Sequence, residues 1–253
     1  MSDVLTKLGI KQTIQKTWMD KSVHMLLSGM NEKDIRAELD HYLSTQKQSG
    51  GIGQREGVTY RMAIGLLASW FSPAQHLVAF RDDALSLAKV INESQWTPLH
   101  WAVISASYPF WHYVAKQTGR LFNLQDKVTQ AQIFQRLKEQ YGDRETVARN
   151  ARYTVRSFVA WGALKDSESK GCYESGGEIA IPDLRIMALL YESTLYCQPN
   201  GKLALGLLQN NPAFFPFGLR SVSGELLAQN NARVMVNRYG MEDEQLSLKV
   251  NNG

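Results

Sequence analysis

Residues Asp143–Ile181 read DRETVARNARYTVRSFVAWGALKDSESKGCYESGGEIAI. The first half predicts a helix. Asp143 is a suitable N-cap, because its carboxylate can accept from the free amides of a first turn. Gly162, directly after Trp161, is a natural stop. Between them Val147, Ala151, Val155, Phe158 and Val159 recur at helical spacing as one apolar stripe. Arg149, Arg152 and Arg156 fall on the opposite face, within about 60° of one another at about 100° per residue. Guanidinium groups grouped this way suit a polyanion, since arginine pairs in a bidentate manner with phosphate or with the edge of guanine. Thr146, Asn150 and Tyr153 flank them and Arg144 precedes them as a supporting contact. An outward arginine face is also what any solvated helix shows, so the neighbouring segments decide between the two readings.

Upstream, Thr129-Gln130-Ala131-Gln132 has the capping-box pattern and opens a helix running to about Gln140, with Ile133, Phe134 and Leu137 inward. Tyr141-Gly142 then makes a very short turn into the arginine helix, as a helix-turn-helix requires. Downstream, Ala163–Asp166, the polar turn Ser167–Gly171, Cys172-Tyr173 and Ile179–Ile181 read as a hairpin with Lys165 and Lys170 near its tip. Helix, tight turn, basic helix and basic hairpin is the order of a winged helix. The expected partner is double-stranded DNA, with the helix in the major groove and the wing at 165–178 on the backbone or in the minor groove. Glu145, Asp166, Glu168, Glu174 and Glu178 interrupt the basic surface. They favour the alternatives, a winged helix used as an interaction scaffold in a larger complex, or a transcriptional regulator.

The totals permit this without requiring it. The 253 residues are 44% hydrophobic and 21% charged, an ordinary globular composition with ample core, and the net charge is +4. The two cysteines, Cys172 and Cys197, belong to no CxxC or Cys/His cluster, which argues against a disulfide framework or structural zinc and suits a reducing, cytoplasmic setting. The opening MSDVLTKLGIKQ has no long apolar run, and the apolar segment Met62–Phe71 is too short to span a bilayer, so no membrane is expected. Gly51-Ile52-Gly53 follows a helix rather than a strand and lacks the third glycine of a dinucleotide fingerprint. Asp82 and Asp83 are adjacent and cannot share a helix face. No nucleophile with a plausible base appears. A non-catalytic protein without cofactor or metal is expected.

The rest of the chain predicts helices at 1–30, at Glu32–Leu43 capped by Asn31, at Val58–Phe71, over Pro73–Ile91 and at Asp183–Tyr196. The aromatic stretch 96–122, with Trp96, Trp101, Tyr108, Phe110, Trp111, Tyr113 and Phe122, is read as core rather than as a base-stacking platform. Phe214, Phe215 and Phe217 around Pro216 read as a loop anchor. Lys202–Leu208 reads as a short helix, and 233–239 with 246–250 as a hairpin. The expected fold is therefore mainly α, with a helical bundle at 1–124, a winged-helix domain at 125–200 and a C-terminal extension at 201–253 ending in a small β-hairpin.

This order of features resembles the small accessory A protein family of the BREX phage-defence systems. The resemblance rests on KSVHMLLSGMNEKDIRAELDHYLS, a middle helical bundle, and QIFQRLKEQYG followed by DRETVARNARYTVRSFVAWGAL and a glycine-bearing wing, over roughly residues 20–200. It implies a cytoplasmic, non-catalytic DNA-binding component of a bacterial defence island, with other defence-system proteins as further partners. The aromatic segment 96–122 and the C-terminal hairpin have no counterpart in that pattern.

Overall fold

A computed structural model describes residues 8–46, 57–239 and 243–249. The first seven residues, the Gly51–Gly53 motif and the end of the last expected strand lie outside them. Among the described residues there are eleven α-helices and eight short strands, so the protein is mainly α-helical. No single described helix is long and apolar enough to cross a membrane.

Helices α1 (Lys16–Leu27), α2 (Glu32–Ser44), α3 (Gly57–Phe71) and α4 (Val78–Val90) precede α5 (Thr97–Ser107) and α6 (Pro109–Phe122). Asn31 caps α2 as expected, its Oδ1 accepting from the Asp34 amide at 3.0 Å. Helix α5 is buried from Thr97 to Ala106 and packs against α9 (Leu184–Tyr196), which is buried from Ile186 to Leu195. Over these residues neither helix has a solvent face, and the two form the centre.

The aromatic segment is core. Trp101 stacks on Phe158 with ring centroids 4.7 Å apart, and Trp111 meets Phe158 and Trp161 edge-on or tilted at 4.9 and 5.0 Å. Such offset and edge contacts are the favoured aromatic geometries. They join α5 and α6 to the back of α8 (Glu145–Ala160). The extended segment before α1 straps that same back: the Trp161 indole donates to the Ile14 carbonyl at 2.9 Å, and the Ile14 amide donates to Ser157 Oγ at 2.9 Å.

Three small sheets complete the fold. Strands β1 (Lys127–Thr129), β3 (Cys172–Ser175) and β2 (Leu164–Asp166) form an antiparallel sheet in that spatial order. Two-residue strands β4 (Ile179–Ala180) and β6 (Phe217–Gly218) pair in parallel. Strands β5 (Lys202–Ala204), β8 (Asp243–Leu248) and β7 (Val234–Tyr239) form the third.

Two expectations are corrected here. Ile179–Ile181 is not part of the hairpin after α8. Gly176 and Gly177 redirect the chain, and Ile179-Ala180 pairs with the loop carrying the aromatic residues instead. Lys202–Leu208 is not one helix. Lys202–Ala204 is drawn into the C-terminal sheet by β8, and the helix α10 covers only Leu205–Gln209. The phenylalanine loop does anchor, with Phe215 stacked on Phe122 at 5.3 Å. Its approach requires Gly119, where an added Cβ would stand 2.1 Å from the Pro212 carbonyl oxygen. The short helix α11 (Gly224–Gln229) leads into β7.

Candidate nucleic-acid interface

Helix α7 (Gln130–Tyr141) begins with the capping box that the sequence predicts. Thr129 Oγ1 accepts from the Gln132 amide at 3.2 Å, and Gln132 Oε1 accepts from the Thr129 amide at 2.8 Å. It ends at Gly142, whose φ of +79° turns the chain directly into α8. Asp143 does not cap α8. The N-cap position is Arg144, with no side-chain cap, and the Asp143 carboxylate turns back to Lys138 at 3.0 Å. The cation at the end of α7 competes for it more effectively than the amides. Arg144 folds onto the turn, its Nη2 donating to the Tyr141 carbonyl at 3.0 Å.

The apolar stripe of α8 is buried as expected at Val147, Ala151, Val155 and Phe158. Arg149, Arg152 and Arg156 are exposed on the opposite side, and Thr146 is exposed near the helix start. Tyr153 is half-buried. Asn150 is a correction: it is 6% exposed and its Nδ2 donates to the Thr146 carbonyl at 2.8 Å. It lies one helical step off the arginine face, toward the core, and cannot reach a ligand on that face.

The hairpin β2–β3 follows α8 after Gly162, whose φ is +77°. Lys165 and Lys170 are exposed, and the Ser167–Gly171 turn separates the strands. Beyond the two-stranded hairpin, β1 pairs with β3, a strand that sequence reasoning missed. The alternation Lys127-Val128-Thr129 just before the capping box was its signal. Its addition matters, since an isolated two-stranded hairpin is marginally stable in water whereas three strands packed on a helix are not. Val128 and Tyr173 are buried, with β1 packed on α6 and α7 and β2 packed on α8. On the other face, the registers Lys127↔Glu174 and Lys165↔Glu174 set a row of Lys127, Glu174 and Lys165.

The acids divide the cations into two groups. Arg156 Nη1 is 2.5 Å from Asp166 Oδ1, and Lys127 Nζ is 2.8 Å from Glu174 Oε1. Partial burial works against the charge on Arg156, but Asp166 and the neighbouring Tyr173 hydroxyl hold its pKa above the usual value. Burial pushes the Tyr173 phenol up, and its hydroxyl donates to Gln130 Oε1 at 3.2 Å. Arg149, Arg152, Lys165 and Lys170 form no ion pair among the described residues.

Two other clusters of titratable groups lie elsewhere. The Trp70 indole donates to His100 Nδ1 at 3.0 Å, and His100 Nε2 faces Asp20 Oδ1 at 2.9 Å. Because Nδ1 accepts, the proton is on Nε2 and is donated to Asp20. Burial of Asp20 pushes its carboxyl up, yet the bonds from His100 and Lys16 hold it below the usual range. The second cluster joins Glu192, fully buried on α9, to Arg233 Nε and Nη2 at 2.6 and 2.9 Å and to Asn231 Nδ2 at 2.6 Å. Arg233 also reaches Asp83 on α4 at 2.7 Å. Neither cluster contains three metal-ligating groups together, and none occurs among the described residues. Cys197 is buried, which pushes its thiol well up and makes it unreactive.

Comparison with known protein families, with characterised proteins and with solved structures gives no match for this chain.

Proposed function

We propose that α6, β1, α7, α8 and the β2–β3 hairpin form a winged helix and that it binds double-stranded DNA. In this reading α8 lies in the major groove, and Lys165 and Lys170 meet backbone phosphates. The observation that carries it is the set of exposed cations, Arg149, Arg152, Lys165 and Lys170, without acid partners on one helix and the hairpin beside it. The three-residue turn Gly142–Arg144 and the three-stranded sheet behind the hairpin support the same arrangement. Arg144 and Thr146 flank this surface and add supporting contacts. The resemblance to the accessory A proteins supports a reading in which this activity serves bacterial phage defence, without catalysis and alongside other defence proteins in the cytoplasm.

The pairs Arg156–Asp166 and Lys127–Glu174 favour a second reading, an interaction scaffold, because each removes a cation from the face that a phosphate would use. Anisotropy of a labelled random duplex of about 30 base pairs, titrated against salt, separates the two. DNA binding predicts salt-sensitive association that Arg149→Ala/Arg152→Ala/Arg156→Ala loses while its circular dichroism is unchanged. No association of the unmodified protein at low salt overturns the DNA reading.

A further inference from the structure

We propose that a cleft between the end of α6, the segment after β3 and the phenylalanine loop is a binding site for a neutral saccharide. The cleft has a volume of about 430 Å³ and is lined by Gly119 and Asn123, by Ser175 and Glu178, and by the loop from Gln209 to Leu219. That volume falls in the range of small-molecule pockets. Asn123, Gly177 and Asn210 are exposed at its rim, while Asn211 is buried. Gly218 makes room for the one carboxylate: an added Cβ there would collide with Glu178 Oε1, so the acid lies directly against the Gly218 backbone.

The polar atoms of the cleft say what fills it. Asn211 is 7% exposed, and its Oδ1 accepts from the Ala213 amide at 3.0 Å. That bond fixes the orientation of the carboxamide and leaves Nδ2 as a donor. Nδ2 has no partner among the described residues, and it is not among the polar atoms sealed from solvent. The little surface that Asn211 keeps therefore includes this donor, and Asn211 lines the cleft. Glu178 forms no ion pair among the described residues, and it is the only charged side chain lining the cleft. An anion would meet this acid with no cation to offset it. A cation would suit Glu178 but leave the Asn211 N–H without an acceptor. A hydroxyl group both donates and accepts, so hydroxyls on adjacent carbons satisfy the two together. Phe215, half-buried with one face stacked on Phe122, and Pro216 add an apolar wall for the C–H face of a sugar ring. At about 30 Å³ of liquid volume per water-sized group, the cleft holds about fourteen non-hydrogen atoms, close to one hexose. The proposal does not rest on the DNA-binding reading.

Glucose, galactose and mannose, which differ only in the orientation of their hydroxyls, are the probes. Acetamide and methylammonium chloride test for an amide or a cation instead. Each is titrated into the ¹⁵N-labelled full chain and followed by amide chemical shifts. At least one hexose is expected to give saturable shifts at millimolar concentration, centred on Ser175–Glu178, Asn210, Asn211 and Leu219. Asn211→Asp keeps the oxygen that accepts from Ala213 and replaces the donor by a second acceptor. It weakens that hexose about fivefold, the worth of one neutral hydrogen bond. Gly218→Ala pushes aside the end of the flexible Glu178 side chain, which spares the fold, and weakens the hexose about tenfold, the worth of a bond to a charged group. Absence of saturable shifts from all three hexoses, shifts centred elsewhere, or unchanged affinity in Asn211→Asp overturns the proposal. So does tighter binding of acetamide or methylammonium than of every hexose at these residues.

Discussion

His112 is buried beside Trp111 on α6, and its Nε2 has no partner. Burial, with Lys116 adding repulsion, lowers its pKa to about 3. The unfolded histidine titrates near 6.5, so below that pH the unfolded state takes up a proton that the folded state refuses. Stability is therefore full above about pH 6.5 and falls as the pH drops toward 3, by about 1.4 kcal/mol per pH unit. His100, also lowered by burial despite Asp20, adds a loss of the same sign. Urea unfolding at pH 7, 5.5 and 4.5 checks this. His112→Leu is expected to reduce the slope by one proton, and an unchanged slope would show that His112 is not held neutral. Arg233 gives a second residue-scale prediction. Its removal leaves Glu192 with no exposure and no counter-ion, so Arg233→Leu is expected to cost about 3–5 kcal/mol. A urea-derived loss below about 1 kcal/mol would show that the pair does not hold the C-terminal sheet.

At the scale of elements, what is legible in the sequence is what local chemistry decides. The capping box at Thr129, the stop at Gly162, the stripe of α8 and the cap at Asn31 each depend on residues within one or two turns. What is not legible depends on a competitor distant in the chain or in space. Lys138's hold on Asp143 and the inward turn of Asn150 are local and lay within reach of the sequence, but β8 recruits Lys202–Ala204 and Phe217 takes Ile179 from far along the chain. The ion pair Arg156–Asp166 belongs to the same group, since spacing alone does not bring a helix residue onto the wing. It supplies a test of the element. Both side chains are about half exposed, so Asp166→Asn should change stability by less than about 1 kcal/mol. It also frees the guanidinium for phosphate, so the salt dependence of duplex binding should steepen by about one counterion. An unchanged slope in an anisotropy titration would remove Arg156 from the binding surface while leaving Arg149 and Arg152 on it.

For the whole molecule, the mainly helical character and the burial of the aromatic segment follow from the sequence, because both reflect composition and period over long windows. The continuity of the core does not. Ile14 strapped to Ser157 and Trp161, and Arg233 joined to Glu192 and Asp83, link residues far apart in the chain, and nothing local announces such pairs. The first of them fixes α8 from behind, so that its arginine face is presented on a packed support, and the second ties the C-terminal sheet to α9 and α4. Rigid presentation of a surface is what groove recognition requires, because a few side chains must reach base edges in one register. The most direct test of this account is an amide chemical-shift map of the ¹⁵N-labelled protein with a random duplex at low salt. The account predicts perturbations concentrated at Arg144–Arg156 and at Lys165–Gly171, fading as salt is raised. Perturbations confined to other elements, or none at all, would contradict it.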